Sequence, residues 1–316
     1  MKKLRVLRVE TFRVWKQNML SFPASFSELK HLRYFGFPVG CRCKLVFPST
    51  FTKLYHIQVF DFGSCGDLVF ASKEDLCELT NLRHVIGSIM TVPNFGRLTS
   101  LLTVPNIRVT KEVGYELQQL AQLNKLRGKL WIRGLQNVES KEAAVQANLA
   151  AKEHLQELTL TWDGKIGSCP DVEAEVLEGL CPPTDLEILK IMDYKGSRYP
   201  SWLVGQQNSG PKHLRTLELS GSSRLISIPE HNELFRNLYS LVISYCSWDS
   251  LPESMERLTS LKKLVFEHCD GLRLLPALPQ SLEEFDVTYC NALAKSCQTN
   301  DHQNRQKIKN IPKKKL

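Results

Sequence analysis

"LTSLKKLVFEHC", Leu258 to Cys269, decides how this chain is read. Apolar residues stand at Leu258, Leu261, Leu264 and Phe266, so the spacings run three, three and two. A helix repeats every 3.6 residues and a half-buried strand every second residue, and neither period fits the whole stretch. A tight turn closed by the first two residues fits, if it feeds a short strand with Leu264 and Phe266 on one side. Lys263, Val265 and Glu267 then fall on the other side.

The spacing recurs as "MKKLRVLRV" (1–9), "LKHLRYFGF" (29–37), "FTKLYHIQV" (51–59) and "LTNLRHVIG" (79–87). It returns as "KEHLQELTL" (152–160), "PTDLEILKI" (183–191), "PKHLRTLEL" (211–219), "FRNLYSLVI" (235–243) and "PQSLEEFDV" (279–287), with degenerate units at 98–106 and 126–132. The second apolar place runs from Leu4 to Leu282 with a mean step of about 25 residues, the period of leucine-rich repeats. One such unit cannot bury its own apolar face, so neighbours stack and their strands form a parallel sheet. Phe47-Pro48, Ile228-Pro229, Leu251-Pro252 and Leu275-Pro276 follow the strands, where a proline helps turn the chain away.

The predicted fold class is therefore α/β: a leucine-rich-repeat solenoid (horseshoe) with its parallel sheet on the concave face and irregular or helical convex segments. About 12 irregular repeats are expected over 1–296, with longer helical repeats at 133–185. There "VESKEAAVQANLAAKEHL" predicts a helix of about three turns capped by Ser140, and "DVEAEVLEGL" (171–180) predicts a second.

Of the net charge of +8, five units belong to residues 297–316, where six Lys/Arg oppose Asp301. That segment reads as a basic, disordered tail. It has no interleaved aromatic and no groove-reading motif, so a nucleic-acid partner is not expected. The basic start lacks the unbroken apolar run of a signal peptide, and no run reaches the 18 or more residues of a membrane span. None of the 14 Asn residues opens an Asn-x-Ser/Thr acceptor. With ten cysteines and no export signal, a reducing, cytoplasmic setting is expected, with nuclear entry as the alternative.

The block "LRGKLWIRGLQNVESKEAAVQANLAAKEHLQELTLTWDG" (126–164), followed by "EVLEGLCPPTDLEILKIMDYKGSRYPSWL" (175–203), resembles the leucine-rich-repeat region of plant nucleotide-binding disease-resistance proteins of the coiled-coil class. "LPESMERLTSLKKLVFEHC" (251–269) is similar to that family's later repeats. The resemblance implies an effector-sensing and autoinhibitory part of an intracellular immune receptor, active in defense. Its implied partners are a pathogen effector or guarded host protein and the receptor's nucleotide-binding switch domain. No G-x-x-x-x-G-K-[ST] stretch is present, so nucleotide binding is not carried over, and a truncated gene or fragment is expected. The alternatives are a leucine-rich-repeat scaffold and an extracellular receptor or inhibitor-type binding module.

Cys246, Cys269 and Cys290 lie 23 and 21 residues apart at one place in successive repeats. A straight ladder cannot surround an ion tetrahedrally, so they read as buried structural thiols. Cys41-Arg42-Cys43 has one intervening residue, too few for a zinc or redox pair. With no nucleophile, metalloprotease or phosphate-loop motif either, no enzyme activity, cofactor, metal or small-molecule substrate is expected.

The side chains free of core duty should bind a protein partner. On the concave face these are Lys190, Met192, Glu218, Lys263, Glu267, Glu284 and Asp286, with Tyr245, His268 and Tyr289 beside them at one shared offset. Aromatics ringed by charge suit such a patch, whose acidic end is Glu267, Glu284 and Asp286.

Overall fold

The computed structural model describes residues 3–9, 19–37, 44–63, 68–72, 75–90, 92–163, 169–204, 209–221, 235, 237–249, 251 and 253–316. Cys41-Arg42-Cys43, Ile228-Pro229 and Pro252 lie outside these. The chain divides into two compact units, Met1–Val138 with Gln146–Leu155, and Glu139–Val145 with Gln156–Leu316.

In the first unit, the repeat strands β1 (Val6–Arg8), β3 (Tyr34–Gly36), β5 (Val59–Gly63) and β7 (His84–Gly87) form one parallel sheet. Its inward places align Leu7, Phe35, Phe60 and Val85. Between them run β2 (Met19–Ser21), β4 (Lys44–Phe47) and β6 (Leu68–Phe70), which make a second parallel sheet. Each of these strands leads into one of the helical turns expected on the return limb, the 3-10 helices Ala24–Glu28, Ser49–Lys53 and Asp75–Glu78; the second sheet is an addition to that expectation. "KLVF" and "DLVF" carry the β-branched and aromatic residues that strands favour, one repeat apart, so each pairs with the next. Phenylalanines fill the gap: Phe35 lies 6.2 Å from Phe47, and Phe47 5.7 Å from Phe60. Rings of this size are needed to span packed sheets about 10 Å apart. Strands β8 (Ile89–Met90), β9 (Asn106–Arg108) and β10 (Arg127–Arg133) continue the unit in parallel.

The unit also buries a lysine. Lys152 is 0% exposed, and its ammonium donates to the Leu120 carbonyl at 2.8 Å, the Asn148 carbonyl at 3.3 Å and Asn124 Oδ1 at 3.4 Å. Burial pushes its pKa down to about 8.

The second unit opens with α1 (Lys141–Val145), where Ser140 Oγ accepts the Ala143 N–H at 3.2 Å as a cap should. The helix is shorter than expected, because Asn148 turns left-handed (φ 50°) and the chain resumes in a 3-10 turn at Leu149–Ala151. After β11 (His154–Thr161), α2 (Pro170–Gly179) packs on α1 at a glycine. A Cβ on Gly179 would lie 2.6 Å from the Lys141 carbonyl and 2.8 Å from the Ala144 methyl.

Then come β12 (Ile188–Met192), β13 (Thr216–Ser220), β14 (Ser240–Ser244), β15 (Lys263–Glu267) and β16 (Glu284–Thr288), all parallel. Leu189, Leu217, Leu241, Leu264 and Phe285 are consecutive rungs of one column, none more than 1% exposed. Ile191, Leu219, Ile243, Phe266 and Val287 form the second. The three-three-two spacing thus builds the interior that it implied.

Residues 297–316 are not a disordered tail. Helices α3 (Asn291–Gln298) and α4 (Gln303–Ile308) lead into β17 (Lys313–Lys315), which pairs in parallel with β16. Leu293, Cys297, Ile308 and Ile311 are buried, so the segment covers the last apolar repeat. Asn304, 0% exposed, locks it in place. Its Oδ1 accepts the Leu275 N–H at 3.0 Å, and its Nδ2 donates to the Arg273 carbonyl and Ser296 Oγ, both at 2.7 Å. A polar side chain is kept in this core because every one of its groups is answered. The charge that suggested disorder is answered too. Lys314 Nζ donates to the Ile308 and Lys309 carbonyls, and Lys307 Nζ to that of Leu275.

Candidate functional site

Alternation along β11 to β17 turns one set of side chains out of the core, in columns set by strand register. One column reads Ile188, Thr216, Ser240, Lys263, Glu284 and Lys313. The next reads Thr159, Lys190, Glu218, Val242, Val265, Asp286 and Lys315. The third reads Thr161, Met192, Ser220, Ser244, Glu267 and Thr288. The middle is small and closed, with Ser220, Ser240, Ser244 and Val265 buried. Charge gathers at the two ends.

At one end Lys190 stands between two carboxylates, 3.2 Å from Glu157 Oε1 and 3.5 Å from Glu218 Oε2. Burial pulls its pKa down, but the two glutamates outweigh that and hold it above the ordinary lysine value. Met192 lies half-buried beside this group. At the other end the expected acidic patch is largely neutralised. Glu284 meets Lys313 at 2.8 Å and Lys263 at 3.5 Å, and Asp286 meets Lys315 at 3.4 Å. Lys313 first, then Lys263, hold the Glu284 carboxyl below its usual range. Of the three acids only Glu267 has no ion-pair partner among the described residues. The basic segment removed the other two from the patch.

The aromatic residues share more than an offset. Tyr245, His268 and Tyr289 follow the last residues of β14, β15 and β16, with φ of 52°, 53° and 54°. In the first two the backbone N–H reaches across to the next strand: Tyr245 to the Glu267 carbonyl, His268 to that of Thr288. The turn needs the left-handed region, which glycine enters freely and Gly221 occupies at φ 69° after β13. Bulky residues there carry a strain of order 1–3 kcal/mol each. Stacking offsets part of it. Tyr245 lies 4.6 Å from His268 with the planes 9° apart, and His268 lies 4.5 Å from Tyr289 at 15°. Tyr245 and Tyr289 remain 60% and 68% exposed.

One residue on, Cys246, Cys269 and Cys290 are buried and turn their thiols back on the strand just ended. Cys246 Sγ donates to the Ser244 carbonyl at 3.3 Å, Cys269 Sγ to that of Glu267 at 3.4 Å, and Cys290 Sγ to that of Thr288 at 3.4 Å. The hydrogen bond with Cys246 leads the causes that push the Cys269 thiol up to about 11. The bond with Cys269 drives Cys290 up as well. No group of three or more His, Cys, Asp or Glu side chains among the described residues could hold a metal ion. No described helix is long and apolar enough to cross a membrane.

Spacing alone therefore gave the strand register of these rows. It missed Glu157, Lys313 and Lys315 as ion-pair partners, and Asp193 and Gly221 as earlier members of the aromatic row. The available signal was register: Lys313, Lys315 and Gly221 lie one repeat from Glu284, Asp286 and Tyr245, and Asp193 lies one repeat further.

Comparison with known proteins agrees with this architecture. Residues 117–246 match the family described as R13L1/DRL21 LRRs. RGA1 of Solanum bulbocastanum, which carries a disease-resistance name, is 32% identical over 63% of this chain and 21% of its own length. The Arabidopsis thaliana RPP13-like protein 1 is 33% identical over 58% of this chain and 22% of its own. The chain thus spans about a fifth of the length of these relatives. Among solved structures, a leucine-rich-repeat protein of Leptospira interrogans covers 91% of this chain, and this chain 85% of it, with TM-score 0.52 at 15% identity. An internalin of Listeria monocytogenes covers 92%, with 82% of its chain matched, at TM-score 0.52 and 13% identity, a likeness of fold. The fold is that of leucine-rich-repeat proteins, residues 117–246 belong to the R13L1/DRL21 repeats, and about three fifths of the chain is homologous to proteins named as plant disease resistance proteins.

Proposed function

We propose that this chain is a non-catalytic recognition module, the effector-sensing and autoinhibitory repeat region of a plant intracellular immune receptor, working in the cytoplasm. Its partners would be a pathogen-derived or guarded host protein and the nucleotide-binding switch domain of the receptor. The observation that carries the reading is the open face of the second unit. Its charged and aromatic residues flank a buried small-residue centre, and register, ion pairs and ring stacking hold them in fixed places. A preorganised face of that kind loses little freedom on binding a protein. Homology to disease-resistance proteins supplies the biological setting. The buried thiols, pushed upward in pKa, argue against nucleophilic chemistry at the cysteine row.

Glu267 and Tyr289 are the residues to test, since Glu284 and Asp286 already serve β17. Binding of the purified chain to a switch domain from a coiled-coil-class receptor is measured by calorimetry. Glu267→Lys combined with Tyr289→Ala should weaken it about tenfold, with circular dichroism unchanged. Equal affinity for the variant and the parent overturns this face as the contact surface.

A further inference from the structure

The hydrogen bonds that align the strands also line up the residues just before them. In the first unit the Arg33 N–H donates to the Arg5 carbonyl, Gln58 to Arg33, Arg83 to Gln58, Leu102 to Arg83 and Arg127 to Leu102, all at 2.7–2.9 Å. The row Arg5, Arg33, Gln58, Arg83, Leu102, Arg127 thus runs along one rim of the unit, five strand steps or about 24 Å long. Its four arginines are exposed, and none pairs with a carboxylate among the described residues. Two residues earlier in the same repeats stand Lys3, His31, His56, Asn81, Ser100 and Lys125, again without an acid.

The second unit supplies an internal control. The same hydrogen bonds there join Gln156, Glu187, Arg215, Tyr239, Lys262 and Glu283. Glu283 meets Lys262 at 2.7 Å, and two residues back Asp185 lies 3.7 Å from His213. Formal charge follows the contrast. The first unit has 21 Lys and Arg against 10 Asp and Glu, a net +11, whereas the second has 20 against 23, a net −3. The excess is felt inside the first unit. Burial, then Arg127 and Arg83, push the His84 imidazole below its ordinary value.

We propose that this rim of the first unit docks on an anionic phospholipid bilayer, its arginines taking the lipid phosphates. A row of one sign calls for a partner of the opposite sign along its whole length, and a charged bilayer offers that without any register. Guanidinium groups suit phosphate because each can donate two parallel hydrogen bonds. A single-stranded nucleic acid is the rival polyanion, but such strands stack their bases on aromatic rings, and this row holds none. It holds Leu102 instead, half-buried between Arg83 and Arg127, an apolar side chain that a head-group layer accepts. The cytoplasmic leaflet carries the required negative charge, and each Lys or Arg near it strengthens binding about fivefold.

The test sediments the intact chain with phosphatidylcholine vesicles, with or without about one quarter phosphatidylserine. Binding should require the phosphatidylserine and should fall as salt is raised. Arg33→Gln with Arg83→Gln should weaken it about twenty-fivefold, with circular dichroism unchanged because both side chains are exposed. Arg215→Gln with Lys262→Gln removes the same charge from the second unit's row and should change binding by less than about twofold. Equal loss in the two double variants makes net charge the cause and overturns the rim as the site. So does the absence of sedimentation, or sedimentation that ignores phosphatidylserine. A single-stranded oligouridylate that binds more tightly than the vesicles, and loses that binding in the Arg33 and Arg83 variant, overturns the bilayer and assigns the rim to nucleic acid.

Discussion

Asn304→Ala tests whether residues 297–316 are an integral cap. The asparagine is fully enclosed, so the substitution leaves behind the Leu275 N–H, itself buried, and the Arg273 carbonyl, which is partly buried. Ser296 Oγ loses a donor but still gives its proton to the Leu293 carbonyl at 2.8 Å. An orphaned buried polar group costs about 1–3 kcal/mol, so the buried N–H together with the partly buried carbonyl, which counts for less, predicts a loss of about 2–5 kcal/mol. For a unit of this size each kcal/mol lowers Tm by about 2–4 °C, so the melt should fall by roughly 4–20 °C. Hydrogen exchange gives the local readout: the Leu275 amide should lose protection before the amides of β13 and β14. Asn304→Asp retains an acceptor for Leu275 and should lie between the two. If Asn304→Ala melts with the parent and keeps the Leu275 amide protected, the cap does not depend on this clamp.

Leu264→Ala, in the middle of the inner column, should cost about 2–5 kcal/mol in urea unfolding, through lost burial and a residual cavity. The ε-carbon resonance of Lys152 should titrate with a midpoint of about 8. Its folded value lies below the unfolded one, so the unfolded chain binds more protons between pH 8 and about 10.4. Stability should therefore rise through that window by about 3 kcal/mol from this group, and a fall there would contradict the burial. Maleimide at neutral pH should label the exposed Cys169 quickly, and Cys246, Cys269 and Cys290 only once denaturant opens the repeats. Mass spectrometry of the labelled peptides decides it.

What could be read in the sequence, and what could not, divides along the repeat itself. Strand pairing is imposed by a period of about 25 residues, so the columns through Leu217, Leu241 and Leu264 follow from counting. The return limbs answer to no fixed period. The Phe47 and Phe70 strands were invisible until their register was known, because four residues with mixed polarity do not announce a sheet. The end of the chain was missed for a chemical reason. Ile308, Ile311 and Lys314 repeat the three-three spacing of Leu258, Leu261 and Leu264, but lysine holds the inward place. Its aliphatic stem covers the rung while the ammonium reaches the Ile308 and Lys309 carbonyls. Hydrophobicity alone cannot see such a repeat. Among the site residues, Tyr245, His268 and Tyr289 were legible as a row. Their handedness and stacking depend on φ, which no spacing encodes.

Strand β17 has a last consequence, for life in a crowded cell. A sheet margin is a template onto which any extended polypeptide can crystallise, yet three successive ammonium groups, all solvent-exposed, guard this one. Two copies meeting along β17 would either part Lys313 and Lys315 from Glu284 and Asp286 or crowd exposed ammonium groups together, so this edge resists pairing with itself. That protection should weaken as ionic strength rises.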